Sequence, residues 1–252
     1  MSILSAARTH VGHVRTHNED DMLEHPVAGI WAVCDGMGGH RGGAMASHLV
    51  TRTLAALPVP ADGQALLTGT LGAIADANAA LQAHAAAQEG DICGTTIVAL
   101  LIHDRHFATV WIGDSRAYRW RQGRLERLTR DHSLVQERID QGEITEAEAE
   151  TAPQRNILTR AIGAAPQVEA DVRHGALLPG DLFLLCSDGL TRLLSDAEIA
   201  EEMTRPTGLC DRLVDLCLDR GAPDNVSVLA VTATDFPDAD AQTVRLPMPP
   251  DD

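Results

Sequence analysis

Residues 29–50 read GIWAVCDGMGGHRGGAMASHLV, and the reading of this stretch decides the fold. Ile30 to Cys34 is an unbroken apolar run of strand length, so it predicts a strand buried in the core. The run stops on one acid, Asp35, followed by Gly36, Met37, Gly38, Gly39 and His40. Small residues that can continue as a helix come next. Turns collect glycine and aspartate, so by itself the stretch fits a tight turn with an incidental acid as well as a functional one. The rest of the chain has to break the tie.

Asp35 is not alone. LFLLCSDGL (182–190) repeats the design, an apolar strand followed by Asp188 and Gly189. TVWIGDSRAY (109–118) sets Asp114 between two strands, and RGAPDNVSVLAV (220–231) sets Asp224 just ahead of a final one. VGHVRTHNEDDM (11–22) carries Arg15, Glu19 and Asp20 after a predicted strand. Carboxylates at the ends of strands that share sheets would converge and repel. Crowded buried acids either take up protons or hold cations. Hard oxygen ligands without paired His or Cys favour magnesium or manganese over zinc. The glycines beside Asp35 and Asp188 would clear space for an ion and its waters, and would expose backbone carbonyls. If the backbone at Glu19 and Asp20 is extended, the two point to opposite sides, so one would be a ligand and the other its supporting partner. Arg15 offers a planar fork for phosphate oxygens.

The remaining strands are predicted at Arg8–Val14, Thr95–Ile102, His106–Ile112, Ala117–Arg121, Val168–His174, Leu182–Cys186 and Val226–Thr232, with RQGR (121–124) as a hairpin turn. Helices are predicted at Gly43–Leu57, Ala65–Gln88, Ser133–Gln141 and Gly208–Arg220. Strands and helices come in groups, which favours antiparallel sheets over a doubly wound parallel one. The acidic, proline-rich sequence 236–252 predicts a disordered tail, leaving one domain over 1–235.

The chain of 252 residues can bury a full core. Its 20 Lys and Arg against 36 Asp and Glu give a net charge of −16, which argues against nucleic-acid and anionic-membrane binding. No apolar run reaches a membrane span, and MSILSAARTH lacks a signal-peptide core. Five cysteines with no CxxC pair suggest buried reduced thiols and a cytoplasmic location.

GHVRTHNED, AVCDGMGGHRGG, CGTT, WIGDSRAYRW, RDHSLV, NILTRAIG, LLCSDGL and DNVSVLAV occur in the order and approximate spacing of the type 2C metal-dependent serine/threonine protein phosphatases. The bacterial branch is the nearer resemblance, and it covers everything but the tail. It implies an α+β, four-layer αββα sandwich: two antiparallel sheets flanked by antiparallel helices, with two Mn²⁺ or Mg²⁺ ions at the strand ends. Asp35 would bridge both ions. Glu19 and the Gly36 carbonyl would complete one site, and Asp188 with Asp224 the other. Asp20 would hold a water bound to the metal. Arg15 would grip the phosphate, and Asp114 with Asp188 matches the position of a third, looser ion. Hydroxide between the metals would attack phosphorus directly.

The resemblance further implies a mobile flap over Arg130–Gly163, within which GEITEAEAE (142–150) reads as a surface helix. Animal members often carry a histidine, proposed as general acid, where this chain has Met37. A thioether cannot donate a proton, so metal-bound water is the expected acid, with His40 and His132 structural. Expected partners are phosphoproteins and a cognate Ser/Thr kinase, and a monomer is expected. The alternatives are a metallohydrolase of other phosphate esters and an inactive phosphoprotein-binding module.

Overall fold

The computed structural model describes residues 2–38, 42–87 and 93–234. His40 and the proposed tail therefore lie outside the described residues. The elements run β1 (Ser2–His10), β2 (Asp20–His25), β3 (Ile30–Met37), α1 (Gly42–Ala55), α2 (Gly63–Ala87), β4 (Gly94–Thr95) and β5 (Ile97–His103). There follow β6 (His106–Ile112), β7 (Arg116–Arg121), β8 (Arg124–Arg127), α3 (Leu134–Asp140), α4 (Glu146–Thr151) and β9 (Asp171–Ala176). The chain closes with β10 (Leu182–Cys186), α5 (Asp188–Thr191), α6 (Asp196–Met203), α7 (Leu209–Asp219) and β11 (Val226–Thr234).

Two antiparallel sheets form, in the orders β1-β11-β10-β7-β8 and β2-β3-β5-β6-β9, with β4 paired to β3. Strand alternation explains the unbroken apolar runs. On β3, Trp31 and Val33 face the other sheet, where Phe183, Leu185, Leu229 and Val231 meet them. Ile30, Ala32 and Cys34, pointing the opposite way, pack against Ala46, Val50 and Leu54 of α1 and Leu81 of α2. On the other sheet Leu182, Leu184 and Cys186 pack against Leu213, Val214 and Cys217 of α7. Each central strand is thus apolar on both faces because helices cover one and a sheet the other. The result is the predicted four-layer αββα sandwich.

Several expected bounds move. The strand expected over Arg8–Val14 is Ser2–His10. β11 begins at Val226, opposite His10, so residues beyond His10 have no ladder to join; the His13 N–H bonds instead to the Ala222 carbonyl at 2.8 Å. β2 was hidden by its charges, being an edge strand that reads DDMLEH. α6 was also missed, although Ser195 and Glu198 close a reciprocal capping box at its start.

Candidate metal centre

The alternation that builds the layer between the sheets also builds the site. Past the apolar stretch, the same faces of the same strands carry polar groups. Asp35 has the parity of Trp31 and Val33, Asp20 that of Met22, Thr96 that of Val98, and Ser227 that of Leu229. The site is therefore the open end of the inter-sheet layer, where apolar packing gives way to acids.

Register then brings the acids together. Asp20 stands directly opposite Asp35 across β2 and β3, and paired residues share a face. Asp188 opens α5 immediately after β10, and Asp224 lies two residues ahead of β11. Asp35 feels the charges of Asp20, Asp188, Asp114 and Asp224 at once. Arg15, Glu19, Asp35, Asp114, Asp188 and Asp224 line one cavity of about 520 Å³. Asp20 lies behind them, 9% exposed, with Oδ2 accepting from Ser187 Oγ at 2.8 Å. Its Oδ1 is buried without a hydrogen-bond partner.

Backbone contacts fix the frame. The Gly36 N–H donates to the Glu19 carbonyl at 3.1 Å, and the Asp35 N–H to Thr96 Oγ1 at 3.0 Å. The Asp35 carbonyl accepts from Thr95 Oγ1 and from the Thr96 N–H, both at 2.9 Å. Asn225, which the sequence reading passed over, joins three segments. Its Oδ1 accepts from the Glu19 N–H at 2.8 Å, while Nδ2 donates to the carbonyls of Val11 and His17 at 2.9 and 3.0 Å.

The glycines beside the acids serve this frame rather than an ion's space. A Cβ at Gly36 would stand 2.2 Å from the Gly43 carbonyl oxygen and 2.5 Å from that of Glu19. At Gly189 it would stand 1.9 Å from the Asn225 carbonyl oxygen. Both positions need glycine because another backbone passes against them.

Burial drives the carboxyls toward protonation. Asp35 is pushed well above the usual range, first by desolvation and then by the charges of Asp20 and Asp188. Asp114 rises to about 8 through burial and the Asp188 charge. Asp20 and Asp188 rise to about 6, again chiefly through burial, against the pull of serine hydroxyls on Asp20 and of Arg192 on Asp188. Such a cluster accommodates charge only with cations nearby.

Among the described residues, no three His, Cys, Asp or Glu side chains stand close enough to hold an ion as they are. Guanidinium groups lie among them. Arg15 grips Asp224 with Nε at 2.9 Å from Oδ1 and an amino nitrogen at 3.0 Å from Oδ2. Arg192 pairs with Asp188 and places its other amino nitrogen 3.0 Å from Asp224 Oδ2. Arg192 also escaped the sequence reading, although its spacing of four from Asp188 puts both on one helical face. The residues nevertheless fit a divalent centre: an all-oxygen donor set, buried carboxyls pushed toward protonation, and an orphaned Asp20 oxygen. That chemistry suits magnesium or manganese.

The expected flap segment borders the cavity through Asn156, Leu158, Thr159 and Arg160, and α4 begins inside GEITEAEAE, where a helix was expected, and ends one residue beyond it at Thr151. His132 is a buried brace. Its Nδ1 accepts from the Gly113 N–H at 3.1 Å, Nε2 faces Asp171 at 3.3 Å, and the ring stacks on Trp111. Met37 lines the cavity, and no histidine does so among the described residues.

Residues 9–215 match the Protein phosphatase 2C family. A curated relative, the serine/threonine protein phosphatase PstP of Mycobacterium tuberculosis, is 39% identical over 235 residues, which is 92% of this chain. The chain spans only 45% of that relative's length. Among solved structures, PppA, a key regulatory component of T6SS in Pseudomonas aeruginosa, superposes with a TM-score of 0.87 at 39% identity. It covers 92% of this chain and 98% of its own. The catalytic domain of serine/threonine protein phosphatase PstP in complex with two manganese ions superposes at 0.84 with 36% identity, over 92% of this chain and 99% of its own. Two antiparallel sheets, a cleft of acids at their shared end and a sequence match over most of the length agree: the chain belongs to the protein phosphatase 2C family.

Proposed function

We propose that this chain is a metal-dependent serine/threonine protein phosphatase that hydrolyses phosphoserine and phosphothreonine monoesters with two manganese or magnesium ions. The observation that carries the proposal is the gathering of Glu19, Asp35, Asp114, Asp188 and Asp224, with Arg15, around one cavity. Asp35, Glu19 and the Gly36 carbonyl would hold one ion, and Asp35 with Asp188 and Asp224 would hold the other. The ions, when bound, supply Lewis acidity to phosphate oxygens and acidity to water. Asp20, behind Asp35, would hold and orient a water through its unpartnered oxygen. Arg15 lies at the exposed rim, and its fork suits the paired oxygens of a phosphate as it suits those of Asp224. Met37 cannot protonate the leaving serine or threonine oxygen, so that proton comes from water in the cleft.

The same proposal holds residues 1–235 as one catalytic domain and 236–252 as a tail, in a cytoplasmic monomer opposing a Ser/Thr kinase. None of the described helices is long and apolar enough to cross a membrane, and the acidic charge of −16 suits protein substrates better than nucleic acid.

Hydrolysis of a phosphoserine or phosphothreonine peptide should require Mn²⁺ or Mg²⁺ and fall to background after exhaustive chelation with EDTA. Undiminished turnover in the chelated protein would overturn the two-ion reading, and faster turnover of a phosphodiester would indicate a different metallohydrolase. Arg15→Ala should lower kcat/KM by roughly 10- to 150-fold, the loss of one charge-assisted partner worth about 1.5–3 kcal/mol. Calorimetry should find Mn²⁺ affinity retained in that variant. Its loss would make Arg15 a structural residue.

A further inference from the structure

Arg192 has no role in the reaction as described above, yet it occupies the centre of the site's charge. It follows α5 directly, and its backbone N–H donates to the Asp188 carbonyl at 2.9 Å. That turn of helix aims the side chain back at the acids. One amino nitrogen pairs with Asp188 Oδ2 and the other lies 3.0 Å from Asp224 Oδ2. The side chain is 26% exposed and lines the cavity together with Asp114, whose carboxylate lies within its field. A cation that cannot lose its proton is therefore tethered where Asp114 and Asp188 would receive a third, looser metal ion.

We propose that Arg192 takes the place of that third divalent ion, so that this chain works with two ions and a fixed guanidinium. The proposal rests on the two-ion reading above. Charge supports it: six carboxylates (Glu19, Asp20, Asp35, Asp114, Asp188 and Asp224) are balanced by two divalent ions together with Arg15 and Arg192. A third ion beside Asp188 would have to displace a covalently attached cation and face its repulsion. The guanidinium fork also fixes the carboxylate planes of Asp188 and Asp224, the two acids assigned to the second ion. Arg192 is thus a positioning residue that acts through its two acids.

Equilibrium dialysis of metal-stripped full chain against saturating Mn²⁺, followed by metal analysis, tests this without reference to turnover. The native protein should hold two ions per chain. Arg192→Asp, which removes the cation and adds a donor, should hold three. Asp114→Asn in that background should return the count to two, and Arg192→Lys should keep it at two by restoring the charge. Should Arg192→Asp not fold, Arg192→Gln carries the same test, with third-ion binding at least tenfold tighter than in the native protein. Three ions in the native protein, falling to two on Asp114→Asn, would overturn the proposal. So would a folded Arg192→Asp protein that still holds two. Fewer than two ions in the native protein would overturn the two-ion reading itself, and the proposal with it.

Discussion

Asp35→Asn should lower kcat/KM on a phosphoserine peptide by roughly 10²- to 10⁴-fold while leaving the metal-free protein folded and more stable. The amide keeps the shape of the carboxylate but removes the charge proposed to belong to both ions. Breaking a buried charge pair on one side costs about 3–5 kcal/mol, and each 1.36 kcal/mol of lost transition-state stabilisation is about a factor of ten in rate. In the metal-free protein the same change relieves repulsion, because Asp35 faces Asp20, Asp188, Asp114 and Asp224. Asp188→Asn should behave alike in activity and gain less in stability, since it also forfeits the pair with Arg192. Steady-state kinetics and thermal melts of the two variants check both halves. Full activity in Asp35→Asn would remove that residue from the centre.

Manganese should raise the melting temperature by about 5–11 °C even if one site dominates. A ligand that binds only the folded state adds about 2.7 kcal/mol at 100 times its dissociation constant, and 1 kcal/mol moves the midpoint of a domain near this size by roughly 2–4 °C. Asp35→Ala should lose most of that rise, and Asp114→Ala should keep most of it. The effect should also grow with pH. Burial raises the folded-state pKa of Asp20 and Asp188 to about 6, that of Asp114 to about 8, and that of Asp35 well above its usual value. The unfolded carboxyls titrate near 4. Between about pH 4 and 8 the folded protein therefore binds more protons than the unfolded chain, so metal-free stability is greatest at the acidic end and falls as pH rises. Manganese, which replaces those protons, should restore more at pH 8 than at pH 5. Melts at both pH values, with and without Mn²⁺, decide the matter. A metal-free protein that grew more stable from pH 5 to 8 would mean that these acids are not crowded in solution.

Strongly patterned elements were legible from the chain. His106–Ile112 and Leu182–Cys186 were read with the bounds they have in the structure, because each is a central strand whose sequence is dominated by burial. β2 was not legible, because charges interrupt its apolar signal at a sheet edge: Asp20 faces the other acids, Asp21 accepts from Thr51 Oγ1 of α1 at 2.6 Å, and Glu24 is exposed. The one-turn helix α5 was equally hidden, since four residues are too few for a periodic pattern. Missing it meant missing Arg192, whose approach to Asp188 depends on that turn.

By itself the sequence determined the alternation of faces, the acids placed where apolar runs stop, and the order of motifs that marks the family. Those are local properties, set by residue type and by a period of two along an extended chain. Only the tertiary structure decided that Asp20 lies opposite Asp35, that Asn225 ties Glu19 to Val11 and His17, and that Arg192 reaches both Asp188 and Asp224. It also showed why Gly36 and Gly189 are glycines, since the backbones they admit come from Glu19, Gly43 and Asn225. The physical reason is separation along the chain. Contacts between residues as much as 214 positions apart depend on strand register and on how two sheets stack, and neither leaves a mark on the residues beside them.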